Sequence, residues 1–387
     1  MRSEFVTVSR NFEYSPYDFL VAVNTIVRDR FGEDAIQGIR RHWYSKRKPL
    51  TYQPVKVAFE KEAQVVAGSF EIEGFPGWFT LDPEHVVMHA YVTKELRPKA
   101  EHLLLAVQKH LEQRSIYRGK AIRTDMEFMD LSAPELDTPT FNDELLRDLQ
   151  ADVWTLIEQP EQCRKANIRL QRKVLFSGPY GSGKTYSALL TARKAVAHGW
   201  TFIYLPPSQS ATSSIAWVLE FARKYQPAVV FIEDFDREQR EKSPYAMGFL
   251  MNAIDGAMSK TGQLMVVMTT NFPEKLAGGV QRPGRIDKII DFSRFTATDV
   301  ERLLRTIIPA TLLGPDIDWN AVGAACKGYT PVFVAEVGNS AKLVAISESR
   351  GALPRVTQRM LLESAAALSR QHEACSKDTL GFHVDQK

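Results

Sequence analysis

The 387-residue chain is poor in cysteine and has no long apolar run. Its three cysteines, Cys163, Cys326 and Cys375, lie far apart and form no Cys-x-x-Cys pair, which argues against a disulfide framework or a structural zinc site. No stretch approaches about 18 consecutive apolar residues, and the first residues lack the charged-then-apolar pattern of a signal peptide. We therefore expect a soluble protein of a reducing, cytoplasmic compartment that does not insert into a membrane.

An excess of charge of one sign is also missing. The 49 Lys and Arg residues nearly balance the 46 Asp and Glu residues, and the net charge of +3 excludes a generally basic coat for nucleic acid or membranes. The 22 glycines and 20 prolines are few for a disordered or collagen-like chain. The length predicts two or three globular domains.

The N-terminal third mixes helical and strand signals. Apolar residues recur at helical spacing over residues 17–31 and 95–113, and short β-branched and aromatic runs fill residues 55–92. We expect an α+β domain over residues 1–125. Residues 126–140 contain two prolines, are acidic and have no lysine or arginine, which is typical of a linker.

The remainder of the chain alternates short apolar runs with helical segments. The predicted strands are residues 174–176, 202–205, 229–232, 264–268 and 289–292. Strands that alternate with helices predict an α/β domain with a parallel, doubly wound sheet, which we place at residues 141–297. The later segments are all helical and predict a small helical domain over residues 298–375, followed by a tail, 376–387.

A glycine-rich motif follows the first of these strands. Residues 178–185 match the pattern Gly-x-x-x-x-Gly-Lys-Ser/Thr and lead into a predicted helix, 186–198. In such a loop, backbone N–H groups surround phosphate oxygens at the positive end of a helix. The lysine of the motif reaches the β- and γ-phosphates, and the hydroxyl of its final Ser or Thr binds Mg²⁺. The predicted nucleotide-binding residues are Gly178, Pro179, Tyr180, Gly181, Ser182, Gly183, Lys184, Thr185 and Tyr186.

Two carboxylates, Glu233 and Asp234, follow the apolar run at 229–232. Ligands bind at the carboxyl ends of strands in open α/β sheets, so we expect both side chains near the phosphate loop. One carboxylate would hold Mg²⁺ together with Thr185, and the other would orient the attacking water. A solvated acidic loop is the alternative interpretation.

A third motif completes a family resemblance. Residues 268–276 read Met-Thr-Thr-Asn-Phe-Pro-Glu-Lys-Leu, and residues 281–287 read Gln-Arg-Pro-Gly-Arg-Ile-Asp. With the two preceding motifs, they make residues 141–374 similar to the AAA family of ATPases, within the AAA+ superfamily. The resemblance implies that Asn271 senses the γ-phosphate and that Arg282 and Arg285 act on the neighbouring subunit's nucleotide. It also implies a homo-oligomeric ring, most often a hexamer, that uses ATP and Mg²⁺ to remodel a macromolecular client such as a protein. In that family the domain before the ATPase selects the client, here residues 1–125, and the C-terminal helices form the lid domain.

The sequence departs from the family pattern at three places. In its order Glu233-Asp234 the sequence resembles the subgroup that contains the mitochondrial respiratory-complex assembly ATPase. The amino-terminal membrane helix of that subgroup is not expected here. By position Glu233 would hold the metal ion and Asp234 would orient the attacking water, but which of the two carboxylates activates the water stays open. Residues 205–211 contain no aromatic residue, so threading by an aromatic pore loop is not expected. Residues 329–332 replace the usual lid motif, so the adenine contacts stay unassigned.

A local basic segment lies between Arg40 and Lys48, with five fixed positive charges around Trp43 and Tyr44. Such a segment can bind nucleic acid through phosphates and stacked bases, which suggests a nucleic-acid-associated ATPase as an alternative function. It would equally suit an acidic protein surface or a solvated loop. A nucleotide-gated scaffold with little turnover is a further alternative. His85, His89, His102 and His110 have no metal-site spacing.

Overall fold

A computed structural model describes residues 4–40, 46–133, 140–209, 212–235, 252, 254–256, 262–272, 285–349 and 353–380. The chain divides into two compact units. The first contains residues 1–130, 192–231 and 253–265, and the second contains residues 131–191, 232–252 and 266–387. Within the described residues, no helix combines the length and the hydropathy needed to cross a bilayer.

The first unit contains a five-stranded antiparallel sheet, which we call the N-terminal sheet. Its strands are β1 (Phe5–Asn11), β2 (Ile36–Gln37), β5 (Ser69–Ile72), β6 (Phe75–Asp82) and β7 (Val87–Thr93), in the spatial order β1-β7-β6-β5-β2. Strands β3 (Thr51–Ala58) and β4 (Lys61–Ala67) form a separate hairpin. Along β6 and β7 buried residues alternate with more exposed ones, and along β1 half-buried residues alternate with exposed ones, so the sheet has one core face and one outward face.

Helices α1 (Pro16–Phe31) and α2 (Arg97–Arg114) supply the apolar partner of the core face. Phe19 and Leu20 of α1 are buried in the same cluster as Leu103 and Leu104 of α2 and Phe79 of β6. Pro at the first turn of α1 and Gly32 after its last residue mark its ends as the sequence indicates. The α+β prediction for the N-terminal part is confirmed.

A buried carboxyl group lies in this core. Asp18 accepts hydrogen bonds from the backbone N–H of Ile116, at 3.1 Å, and from the hydroxyl of Tyr225, at 3.2 Å. Burial raises the pKa of Asp18 to about 6, although these hydrogen bonds and the nearby charge of Arg118 oppose the shift. The first unit therefore takes up a proton at Asp18 when it folds at mildly acidic pH.

A six-stranded sheet is the second sheet of the fold. Its strands are β8 (Ala121–Arg123), β9 (Arg172–Ser177), β10 (Thr201–Leu205), β11 (Ala228–Ile232), β12 (Leu264–Thr270) and β13 (Lys288–Asp291), in the order β13-β9-β12-β11-β10-β8. The pairs β13–β9 and β10–β8 are parallel, and every residue of β11 and β12 is buried. Helices α6 (Lys184–Ala197) and α7 (Thr212–Lys224) connect successive strands. The parallel α/β prediction is confirmed, and β8 is an addition that the sequence pattern did not indicate.

The other helices belong to the second unit. Before β9, α3 (Asp143–Leu149) continues through a π-helical turn, Gln150–Trp154, into α4 (Thr155–Glu158), and α5 (Pro160–Lys165) follows. After β13 come α8 (Ala297–Ile307), α9 (Trp319–Ala325), α10 (Pro331–Ser349) and α11 (Gln358–Leu380). A capping box at Thr296 and Asp299 starts α8, and Leu304, Val334 and Leu361 share one buried cluster. These C-terminal helices are consistent with an AAA lid.

Candidate functional site

The glycine-rich loop leaves β9 after Ser177 and enters α6 at Lys184. Gly181 and Gly183 have φ values of +74° and +100°, a region that side chains with a Cβ rarely adopt. A Cβ added to Gly183 would lie 2.7 Å from Cε1 of Phe141, and one added to Gly178 would lie 2.9 Å from Cβ of Phe292. Both the backbone conformation and the packing therefore require glycine, and the loop places the amino end of α6 toward any bound anion.

Lys184 lies inside this loop rather than in solvent. Its ammonium donates hydrogen bonds to the backbone oxygens of Gly178, at 2.6 Å, and Pro179, at 2.9 Å, and to the hydroxyl of Ser182, at 3.3 Å. Both Lys184 and Ser182 are buried. The loop thus concentrates a positive charge and the dipole of a helix amino terminus in one concave site, which is the arrangement that phosphate groups bind.

Thr185 and Glu233 meet beside the loop. The hydroxyl of Thr185 donates a hydrogen bond to Oε1 of Glu233, the first residue after β11. Burial raises the pKa of Glu233 and the charge of Asp234 adds to this, while the Thr185 hydrogen bond and the charge of Lys184 lower it. A hydroxyl and a carboxylate oxygen are hard ligands of the kind that Mg²⁺ prefers, so these two side chains fit the metal of a nucleotide complex.

Asp234 and Asn271 form a second polar pair. The amide of Asn271 donates a hydrogen bond of 2.6 Å to Oδ1 of Asp234. The backbone N–H of Asp234 donates to the hydroxyl of Thr269 at 2.9 Å, and Asp234 has a φ of +46°, an uncommon value outside glycine. Thr269 belongs to β12, next to β11 in the sheet. The carboxyl ends of two central strands therefore hold one carboxylate in a fixed orientation.

Of the two predicted arginines, Arg282 and Arg285, the structure describes Arg285. Arg282 lies outside the described residues. Arg285 precedes β13, whose residues Lys288 and Asp291 pair with Val174 and Ser177 of β9. Because the pairing is parallel and the phosphate loop follows Ser177, Arg285 lies at the opposite edge of the sheet from the loop of its own chain. The structure brings Lys184, Thr185, Glu233, Asp234 and Asn271 together but not Arg285.

A cavity of about 470 Å³ adjoins the phosphate loop. Aromatic and aliphatic side chains form most of its wall, and the rings of Phe141 and Tyr186 lie 5.5 Å apart in an edge-to-face arrangement. The residues that line the cavity include Phe141, Gly181, Gly183, Tyr186, Phe292, Phe295 and Val332. This volume and apolar lining suit the base and ribose of a nucleotide whose phosphates lie in the loop. Neither Phe141 nor Phe292 could be predicted as a site residue from the sequence, because an isolated aromatic residue before a helix or after a strand belongs to no motif.

The C-terminal helices contact the loop directly. The backbone N–H of Val332 in α10 donates to the backbone oxygen of Gly181 at 3.3 Å. A Cβ added to Gly181 would lie 3.0 Å from Oγ1 of Thr330 and 3.0 Å from Cβ of Val332. The Thr330 hydroxyl has no hydrogen-bond partner among the described residues. The unusual residues 329–332 therefore form the contact between the helical part of the unit and the phosphate loop.

The comparisons with known proteins agree with this geometry. The family model of the ATPase family associated with various cellular activities (AAA) matches residues 174–294. The chain is similar to an ATP-dependent zinc metalloprotease FtsH of Acidothermus cellulolyticus, with 29% identity over 219 residues that cover 52% of this chain and 32% of the relative.

It is also similar to FtsH 3 of Sphaerobacter thermophilus, with 27% identity over 299 residues that cover 70% of this chain and 58% of the relative. The chain thus spans between a third and three fifths of the length of these curated relatives. The similarity is distant, and the family match includes the phosphate loop, Glu233, Asp234 and Asn271. The chain contains an AAA ATPase domain.

Proposed function

We propose that this protein hydrolyses ATP with Mg²⁺ and uses the energy to remodel a macromolecular client in a chaperone-like manner. The observation that carries the proposal is the meeting of the Thr185–Glu233 pair, the Asp234–Asn271 pair and the buried Lys184 beside one phosphate loop. Phosphoryl transfer depends mainly on positioning and charge neutralisation, and these five side chains supply both. The large cavity beside the loop would receive the adenosine part.

We assign each side chain a role by its position. The loop N–H groups and Lys184 bind the β- and γ-phosphates. Thr185 and Glu233 hold Mg²⁺, which neutralises phosphate charge when bound. Asp234 orients and deprotonates the attacking water, and Asn271 fixes the Asp234 carboxylate and senses the γ-phosphate. The hydrogen bond from Asn271 to Asp234 favours this division of the two carboxylates over the reverse one.

A ring of identical subunits, most simply a hexamer, is part of the proposal. Arg285 lies at the sheet edge opposite the loop of its own chain, which suits an arginine that acts on a neighbour's nucleotide. A guanidinium is permanently charged and forked, and so matches the charge on transferring phosphoryl oxygens. We propose the same role for Arg282. The proposed domains are the N-terminal domain (1–125), the ATPase domain (141–297) and the lid (298–375).

Proteolysis is not part of the proposed function. The two relatives are named as zinc metalloproteases, and the family match lies in the ATPase part of this chain. Zinc metalloproteases commonly carry a His-Glu-x-x-His sequence on a helix, and none occurs among the 387 residues. We therefore propose remodelling without peptide hydrolysis by this chain.

Phosphate release per subunit, measured as the protein concentration rises with saturating Mg-ATP, tests the proposal. We expect the specific activity of the wild type to rise with concentration, that of Arg285→Ala to stay low, and Lys184→Ala to bind and hydrolyse little ATP. Normal hydrolysis by Lys184→Ala would refute the phosphate assignment. A wild type that binds ATP but releases no phosphate at any concentration would favour the nucleotide-gated scaffold instead.

A further inference from the structure

The outward face of the N-terminal sheet carries three aromatic rings in contact. Trp78 on β6 and Tyr91 on β7 are cross-strand partners, and their rings stack with centroids 4.9 Å apart at an angle of 12°. The ring of Phe5 on β1 lies 5.9 Å from that of Trp78. Despite these contacts, Phe5 is 54% and Trp78 39% exposed. We call these three residues the aromatic patch.

The rest of this outward face is mainly polar. The positions beside the patch are Thr7, Ser9, Asn11, Thr80, His89 and Thr93. A face that docks on a protein through the hydrophobic effect would carry a contiguous apolar area, which these residues interrupt. Exposed flat rings in polar surroundings instead suit a planar ligand that stacks, because stacking needs a ring face and little other apolar area.

Positive charge adjoins the aromatic patch. Arg47 lines the same recess of about 480 Å³ as Phe5 and Trp78. The segment that carries Arg47 is anchored to the sheet: its guanidinium donates to Glu71 at 2.9 Å and to the backbone oxygen of Gly38 at 3.0 Å. A Cβ added to Gly38 would lie 1.6 Å from the backbone oxygen of Lys48, so this close approach requires glycine. Arg47 is thus held beside the rings.

Two carboxylates near the patch, Glu71 and Asp82, are paired with basic groups, whereas Glu73, which also lines the recess, accepts a hydrogen bond of 2.9 Å from the neutral amide of Gln37. Glu71 accepts hydrogen bonds from the Arg47 guanidinium and from the backbone N–H of Arg40, and Asp82 accepts from the ring of His85 at 2.8 Å. These pairs reduce the repulsion that a polyanion would meet at the sheet. Lys46 and Lys48 are exposed on either side of Arg47 and add two further positive charges.

We propose that the aromatic patch and the basic residues Lys46, Arg47 and Lys48 form a binding surface for single-stranded nucleic acid. Bases stack on Trp78 and Phe5 in the recess, and phosphates lie along the basic edge. A single strand fits better than a duplex, because the bases of a duplex are already stacked on one another. Binding itself requires no ATP, but its use to drive remodelling of a nucleic-acid client rests on the proposed function.

The test is the fluorescence anisotropy of a labelled 20-nucleotide oligothymidine with the full chain. We expect binding that weakens with salt, and a loss of about tenfold or more in affinity for Trp78→Ala. The double variant Lys46→Gln/Lys48→Gln should reduce the slope of log affinity against log salt by about 1.4, because each phosphate that a lysine neutralises contributes about 0.7. A duplex of the same length should compete poorly.

Two control substitutions test whether a loss of binding is specific to this surface or follows from removing any exposed ring or any exposed positive charge. Tyr52→Ala removes a ring that is 53% exposed on the β3–β4 hairpin, and Lys61→Gln removes an exposed charge from the same hairpin; both should bind like the wild type. Circular dichroism and basal ATP hydrolysis of every variant should match the wild type, because none of these residues belongs to the nucleotide site.

The outcomes distinguish the two proposals. A wild type that binds no oligothymidine at low salt, or a Trp78→Ala variant that binds it equally well, overturns the nucleic-acid surface. Polyglutamate that binds in place of oligothymidine, and fails to bind the lysine double variant, also overturns it and assigns the surface to an acidic protein. Oligothymidine binding without any ATP hydrolysis leaves the surface supported and overturns only the ATPase.

Discussion

The substitution Gly183→Ala tests the architecture of the phosphate loop. An alanine at a φ of +100° costs about 1–2 kcal/mol in backbone strain. Its methyl group would lie 2.7 Å from Phe141, and forced overpacking of this kind costs about 1–3 kcal/mol more. We therefore expect the free energy of unfolding of the second unit to fall by about 2–5 kcal/mol.

Gly328→Ala is the matched control in the same unit. Gly328 has a φ of +82°, and an added Cβ would have no described heavy atom within 4 Å, so only the strain remains. Urea unfolding of both variants measures the difference, which we expect to be about 1–3 kcal/mol. Because Phe141 lines the cavity, ATP affinity should also fall about tenfold for Gly183→Ala alone. Equal destabilisation of the two variants with normal ATP binding would refute this account of the loop.

Three further predictions concern single side chains. Because folding raises the pKa of Asp18 to about 6, the native state binds more protons than the unfolded state between pH 4 and 6. As pH rises through this window, the free energy of unfolding of the wild type should fall by about 3 kcal/mol relative to that of Asp18→Asn. The same pH dependence of the free energy of unfolding in both proteins, measured with urea, would contradict this prediction. Thr185→Val should raise the Mg²⁺ concentration for half-maximal ATP hydrolysis about tenfold, and an unchanged Mg²⁺ titration would exclude Thr185 as a ligand. Asn271→Ala should slow single-turnover hydrolysis about 100-fold while ATP affinity stays within about twofold, and equal loss of both would place Asn271 in binding rather than in orienting Asp234.

The motifs of the nucleotide site could be predicted because their chemistry is local. The loop needs glycines at fixed spacing, and Glu233 and Asp234 directly follow an apolar run, so strand alternation alone places them at one sheet edge. The roles given to these residues, including the trans action of Arg285, stay predictions until they are measured.

Other features depend on contacts between distant residues and left no periodic signal. Strand β8 has three residues, too few for an alternating pattern, and joins the parallel sheet only through its pairing with β10. Phe141 acquires its place in the cavity through packing against Tyr186 and Phe292. The aromatic patch combines Phe5 with residues more than seventy positions later, which only the strand order β1-β7-β6 brings together.

The contact between Val332 and the phosphate loop has a mechanical consequence. Helix α10 begins at this contact and continues for 19 residues, a length of about 28 Å at 1.5 Å per residue. A tilt of about 10° around its first turn would therefore displace its far end by about 5 Å. Near that end Leu343 and Ile346 are 67% and 55% exposed. A small movement of the phosphate loop at Gly181 would thus produce a much larger displacement of this apolar surface at the far end of α10.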